Sequence, residues 1–354
     1  MRCSGLVLIP AFFFSLGCSA PASSDSTAQE SSALASSPCA QLLSKQHYVR
    51  VSDDVTLHVL EKYSVGSLAA FPRRAVLMLP PTLATNAIYD AQVPADPTYD
   101  AMERIAKDGY FVFTPSYEGY GLSTRPADGS TVTKWRILGD LGTLVEWIRR
   151  THHVDQVDVF GMSLGASLAV ALGGTQSSTD PSHIGRIVLA SNVYKSVTPF
   201  FQSVFFTPQF LAFLQSAPNG YIDTTPGAYA PLLSNATPDA TTWVAANLPG
   251  SYATGPTLEG FYLPPFDAQE GRAPALQFWG TADPVTPPED VAAFQSEYGG
   301  PVQLHVIEGG AHALLFEAGR DELWQSALAF WDTGRPPLPT FCSVWSCDDD
   351  DGDL

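Results

Sequence analysis

Short, uninterrupted apolar runs alternate with amphipathic stretches over most of the chain. AVLMLP (Ala75 to Pro80) and YFVFTP (Tyr110 to Pro115) are the kind of run expected of strands covered on both faces, and VDQVDVFG (Val154 to Gly161) reads as a strand. VTLHVLEKY (Val55 to Tyr63), IGRIVLAS (184–191), APALQFWG (273–280) and VQLHVIEG (302–309) predict further strands. Helical spacing marks PTYDAMERIAKDG (97–109), which stops at Gly109, then ILGDLGTLVEWIRRTHH (137–153) and SLGASLAVALGG (163–174). Strand, helix, strand in this rhythm predicts an α/β fold with a mainly parallel central sheet and helices on both faces.

The rhythm breaks between residues 194 and 271. From Ser196 to Ile222 there is no charged residue, and the stretch holds Phe200, Phe201, Phe205, Phe206, Phe210 and Phe213. It reads as an inserted helical cap. A membrane span is the competing reading, but Pro199 and Pro208 interrupt the stretch, and Gln202, Gln209 and Gln215 fall inside it. The aromatics either line a binding surface or pack the core of the cap. The expected organisation is a signal segment over 1–18, a low-complexity tether over 19–45, core over 46–193 and 272–335 around a cap at 194–271, and a tail over 336–354.

The first eighteen residues have Arg2 ahead of an apolar stretch, Gly5 to Gly17, that is too short to span a bilayer as a helix. It ends in Ser15-Leu16-Gly17-Cys18, which resembles a bacterial lipobox, although Leu16 stands one place closer to the cysteine than in that pattern. The resemblance implies export and makes Cys18 the candidate lipidation site, with a cell-envelope lipoprotein or a secreted protein as the expected product. Export permits disulfides. Cys342 and Cys347 flank a short loop and are the favoured pair, while Cys39 is then odd and leaves the pairing open.

Composition narrows the function classes. With 354 residues, 45% of them hydrophobic and 15% charged, the chain can bury a sizeable core. The net charge of −18 repels phosphate backbones, so nucleic acid is not an expected partner, and a membrane is expected only through the N-terminal lipid. No cysteine spacing fits zinc. The terminal DDDDGDL lacks the spacing of a calcium loop and reads as a solvated tail. No metal or cofactor is expected.

The candidate chemistry lies in GMSLG, Gly161 to Gly165. A buried strand runs into it and a small-residue helix runs out, as a nucleophile elbow requires. Ser163 then sits on a sharp turn, Gly161 and Gly165 give the clearance, and the Leu164 N–H points at a forming oxyanion. A serine nucleophile needs a base held by a carboxylate. Asp283 in GTADPVTPPED and His312 in GGAH follow strands in that order. His305 lies inside a strand, His152 and His153 end a helix and read as solvated or as serving the helix C-terminus, and His183 precedes a strand. Glu289 and Asp290 read as charge at a helix N-terminus.

These motifs, with GYFVFTPSYEGYGLSTRP (109–126), make residues 50–335 similar to the α/β-hydrolase family. In the last motif Ser116 and Glu118 replace the family's Asp and Arg, which brace a loop. The resemblance implies Ser163 as nucleophile, Asp283 as acid, His312 as base and no cofactor. By position Thr82 supplies the second oxyanion N–H, after Pro80-Pro81, where the family has His-Gly; Leu83 is the substitute. A similar Pro-Pro stretch occurs in the polyhydroxyalkanoate synthase branch, whose nucleophile is cysteine, and it hints at acyl-chain substrates. The expected function is ester hydrolysis on a small-molecule or lipid-like ester with apolar acyl or alkyl groups. An amidase or acyltransferase on the same residues is the alternative within enzymes. A surface-binding lipoprotein on an inert scaffold is the alternative outside them.

Overall fold

Ten strands and ten α-helices follow one another along the part of the chain described by the computed structural model, residues 41–335 except 95, 178–179, 234 and 261–265. The expected signal segment with Cys18, most of the expected tether, Cys39, and the expected tail with Cys342 and Cys347 lie outside the described residues. The strands are β1 (Leu42–Arg50), β2 (Thr56–Ser64), β3 (Ala75–Leu79), β4 (Phe111–Pro115), β5 (Val157–Met162), β6 (Ile184–Ala190), β7 (Tyr221–Asp223), β8 (Ser251–Ala253), β9 (Ala275–Gly280) and β10 (Val302–Ile307). The helices are α1 (Val65–Ala69), α2 (Ala101–Lys107), α3 (Lys134–His152), α4 (Leu164–Leu172), α5 (Pro199–Phe205), α6 (Pro208–Gln215), α7 (Pro238–Asn247), α8 (Gly255–Glu259), α9 (Pro288–Glu297) and α10 (Arg320–Asp332).

Eight strands form one sheet in the order β1-β2-β4-β3-β5-β6-β9-β10. β1 and β2 pair antiparallel, as do β2 and β4; every later neighbour pair is parallel. Successive residues of β3 point to opposite faces. Leu77 and Leu79 join one buried cluster with Leu141, Leu144 and Ile148 of α3 and Leu168 of α4. Val76 and Met78 join a second cluster with Met102 and Ile105 of α2 and Leu323 and Trp324 of α10. Helices therefore cover both faces, and β3 at the centre of the sheet is apolar and buried at every residue.

Three features differ from the sequence reading. β1 begins at Leu42, inside the stretch expected to be tether. Ser44, Lys45 and Gln46 are exposed on this edge strand, so it lacks the apolar run of the inner strands, and its pairing with β2 holds it. In the segment expected to be a cap, β7 and β8 form a two-stranded antiparallel sheet that brackets α7 in sequence, with strands of three residues each, too short to carry a pattern. His152, expected to be solvated, is buried against Phe111, Phe113 and Trp147. Burial pushes its pKa down to about 4, with lesser repulsion from His47 and Lys45. Among the described residues no helix is long and apolar enough to cross a membrane.

Candidate active site

β5 runs into α4 through Ser163, whose backbone sits at φ 53° and ψ −115°, outside the regions a side-chain-bearing residue prefers. The turn is held by the Ser163 N–H, which donates to the Ala190 carbonyl at 3.0 Å. A Cβ on Gly161 would stand 2.2 Å from the Gly165 carbonyl oxygen, and one on Gly165 would stand 2.0 Å from the Leu79 carbonyl oxygen. Both positions therefore require glycine on steric grounds. Leu164 is the first residue of α4, so its N–H has no acceptor one helical turn back and remains available to a ligand.

The neighbouring strand ends converge on this turn. β9 leads to Asp283 and β10 to His312. The His312 Nδ1 lies 3.0 Å from both carboxylate oxygens of Asp283, and both residues are buried. Asp283 Oδ1 also accepts the Val285 N–H at 2.7 Å and the Thr286 N–H at 3.1 Å. Burial raises the Asp283 pKa, but the His312 imidazole and these hydrogen bonds outweigh it and hold the carboxyl below the usual range. Asp283 is thus a carboxylate that fixes the imidazole in the tautomer with Nδ1 protonated, leaving Nε2 as acceptor.

The loop bearing His312 is secured at three points. Ser191 Oγ donates to the His312 carbonyl at 2.7 Å, the Ala311 N–H donates to Glu317 Oε2 at 2.6 Å, and the Ala313 N–H donates to the Leu232 carbonyl at 3.2 Å. Glu317 is buried, and burial pushes its pKa up to about 7; the nearby Asp283 adds to that, and the Ala311 N–H opposes it.

Ser163, Leu164, Thr82 and His312 all line one cavity of about 200 Å³. Thr82 follows Pro80-Pro81, which have no N–H to offer. Leu83, the alternative donor, adopts φ 59° and lines the same cavity. Phe201, Phe205, Phe206 and Phe210 line the cavity too, and they also stack on one another: the Phe201 and Phe205 rings lie 4.5 Å apart. Phe200 and Phe213 are turned outward, 52% and 53% exposed. The aromatic stretch thus both walls the cavity and packs itself.

Several residues near the site were not legible in the sequence. Asp290 stands with Glu289 in the first turn of α9, as expected; it is also buried and accepts the N–H groups of Tyr194, Lys195 and Ser196, anchoring the chain where it leaves the core. Tyr229 donates to the Leu83 carbonyl at 2.5 Å and so ties the β3 loop to the inserted segment. Lys134, at the start of α3, lines the cavity. Its one sequence signal is a basic residue in a first helical turn, where an acid is favoured. Glu118 bonds Arg136 across 2.7 Å, an ion pair at the loop where the sequence shows an exchanged charge. His305 bonds Glu322 on the outer edge of the sheet, and His183 bonds Glu146 beside α3; both stand apart from the cavity lining. Among the described residues no cluster of three metal-binding side chains occurs.

A family model described as alpha/beta hydrolase fold matches residues 95–319. Solved structures share the architecture. An esterase from Exiguobacterium antarcticum superposes with a TM-score of 0.59 at 16% identity, over 81% of this chain and 100% of that one. A thermophilic esterase from Thermogutta terrifontis gives 0.58 at 14% identity, over 83% and 98%. The thioesterase domain from the curacin biosynthetic pathway gives 0.54 at 14%, over 79% and 98%. At these identities the likeness is one of fold. No curated protein matches the sequence.

Proposed function

The chain belongs to the alpha/beta hydrolase fold family, and on that premise we propose that it is a carboxylic-ester hydrolase using Ser163, His312 and Asp283. The observation that carries this reading is that the strained Ser163 and His312, whose Nδ1 is held by Asp283, line the same largely apolar cavity. Ser163 Oγ attacks the ester carbonyl carbon while His312 Nε2 takes its proton. The oxyanion that forms is stabilised by the N–H groups of Leu164 and Thr82. Collapse breaks the bond to the alkoxide, which leaves with the proton from Nε2. A water molecule then gives its proton to His312 and attacks the acyl-enzyme, and the acid departs as Ser163 recovers its proton. Asp283 stabilises the imidazolium at both stages.

The aromatic wall favours apolar acyl or alkyl groups, each buried CH₂ contributing about 0.8 kcal/mol. If half of that is realised in the transition state, kcat/KM rises about twofold per methylene until the cavity is full. The test is fluorophosphonate labelling of the purified protein together with an acetyl-to-decanoyl series of chromogenic esters. Labelling at Ser163, lost with turnover in Ser163→Ala, supports the reading. Labelling elsewhere, or an active Ser163→Ala, overturns it and leaves the binding-protein alternative ahead. We place the enzyme outside the cytoplasm on the strength of its N-terminal segment; mass spectrometry of the mature chain should find a lipidated Cys18 as its first residue.

A further inference from the structure

The cavity wall is almost wholly hydrocarbon, yet one ammonium side chain belongs to it. Lys134 is 5% exposed and lines the cavity together with Ser163 and His312. No Asp or Glu is among the described residues of that wall. The nearest acid, Glu259 of α8, is engaged by the Lys134 backbone N–H, and no ion pair to the Lys134 ammonium occurs among the described residues. Burial pushes the lysine pKa down to about 8, and the Glu259 charge restores only part of the loss. The side chain is therefore still mostly protonated at neutral pH, at an energetic disadvantage.

Its position adds to that disadvantage. Lys134 is the first residue of α3, where the helix dipole already presents positive charge. A methionine would fill the same space without either penalty, so packing gives no reason for the charge. The wall holds a second polar side chain, on α8, which packs against α3: the Thr257 hydroxyl is buried with no hydrogen-bond partner among the described residues. An ammonium without a counter-charge and a buried hydroxyl without a partner, both on one apolar wall, together form a donor set for a carboxylate.

We infer that Lys134 and Thr257 form a subsite for an anionic end of the substrate, so that the preferred ester carries a carboxylate joined to the scissile group by a hydrocarbon spacer. This rests on the ester-hydrolase reading and names the substrate class of that site. The spacer is hydrocarbon because the remaining wall, including Phe201, Phe206, Leu232 and Val244, offers it nothing polar to bond. A bound carboxylate pairs with the ammonium, accepts from Thr257 and removes the cost of burying both.

The test compares p-nitrophenyl monoesters of succinic, glutaric, adipic and suberic acids with neutral p-nitrophenyl acyl esters of equal length at pH 7. At one spacer length or more, wild type should favour the anionic ester in kcat/KM by about tenfold or more. Lys134→Met should abolish that ratio, and Lys134→Arg should keep part of it. A wild type that prefers the neutral ester at every length, or a ratio that survives Lys134→Met, overturns the subsite while leaving the hydrolase reading intact. Failure of the hydrolase reading is recognised separately, by absent turnover of both series and absent labelling at Ser163. The subsite is then decided by thermal shift with sodium octanoate and with octanol. Stabilisation by octanoate alone, lost in Lys134→Met, supports it, and equal shifts in the two proteins reject it.

Discussion

Glu317 receives the Ala311 N–H at 2.6 Å and thereby holds the residue next to His312, although it never touches the cavity. This makes it a positioning residue for the base. Glu317→Leu frees the loop, and kcat/KM should fall about tenfold to a hundredfold, mostly in kcat, because small displacements of a catalytic group are costly. Glu317→Gln keeps an acceptor for Ala311 and should retain most activity. Equal losses in both variants would place the effect in packing rather than in the hydrogen bond.

Asp283→Asn offers a sharper test of the base. Asparagine keeps an oxygen for the Val285 and Thr286 N–H groups, so the loop should survive. Its NH₂, however, would donate to His312 Nδ1 and leave the proton on Nε2, where the serine proton must go. Turnover should drop by about 10⁴-fold with the melting temperature nearly unchanged. A loss below tenfold would show that Asp283 does not orient the base.

Two glycines should respond in opposite directions to the same substitution. Gly165→Ala drives a Cβ into the Leu79 carbonyl oxygen at 2.0 Å, with Pro80 oxygen at 2.9 Å, and neither backbone atom can move without shifting the loop that bears Thr82. It should lose activity and about 2–3 kcal/mol of stability. Gly139 lies exposed within α3 with nothing within 4 Å of an added Cβ. Gly139→Ala should stabilise by roughly 0.5–1 kcal/mol. Denaturant melts of the two variants check both signs.

Asp140 gives the pH dependence. Burial, then the Glu118 charge, raises its carboxyl from 3.8 to about 7, against an opposing contribution from Arg136. The folded protein therefore holds this proton in a range where the unfolded chain has lost it. The contribution to stability is fully present below about pH 4 and is lost as pH rises through 7. Asp140→Asn removes the ionisation. Its stability relative to wild type should increase from pH 4 to pH 8 by about 4 kcal/mol and level off above that. Chemical denaturation at pH 4, 6 and 8 reads the difference, and a pH-independent gap would refute it.

What the sequence carried and what it did not follows from how each feature is encoded. Strands β3 and β4 are buried on both faces, so each is written as a mostly apolar run. The elbow is written in two glycines around Ser163, and the order Ser163, Asp283, His312 follows from strands ending at one edge of the sheet. These are local or sequential facts, and reading along the chain was enough for the fold class and for the candidate residues that converge on the cavity. Lys134, Thr257, Tyr229, Asp290 and Glu317 are different. Each is an ordinary polar residue in its own segment, and its role depends on what is packed against it from elsewhere. Burial turns Lys134 from a solvated helix residue into an ammonium on an apolar wall, and Asp290 from a helix-terminal charge into an anchor for three N–H groups. His152 loses its solvent to Phe111, Phe113 and Trp147 in the same way. Desolvation and long-range hydrogen bonding have no period along a sequence, and so only the tertiary structure decided them.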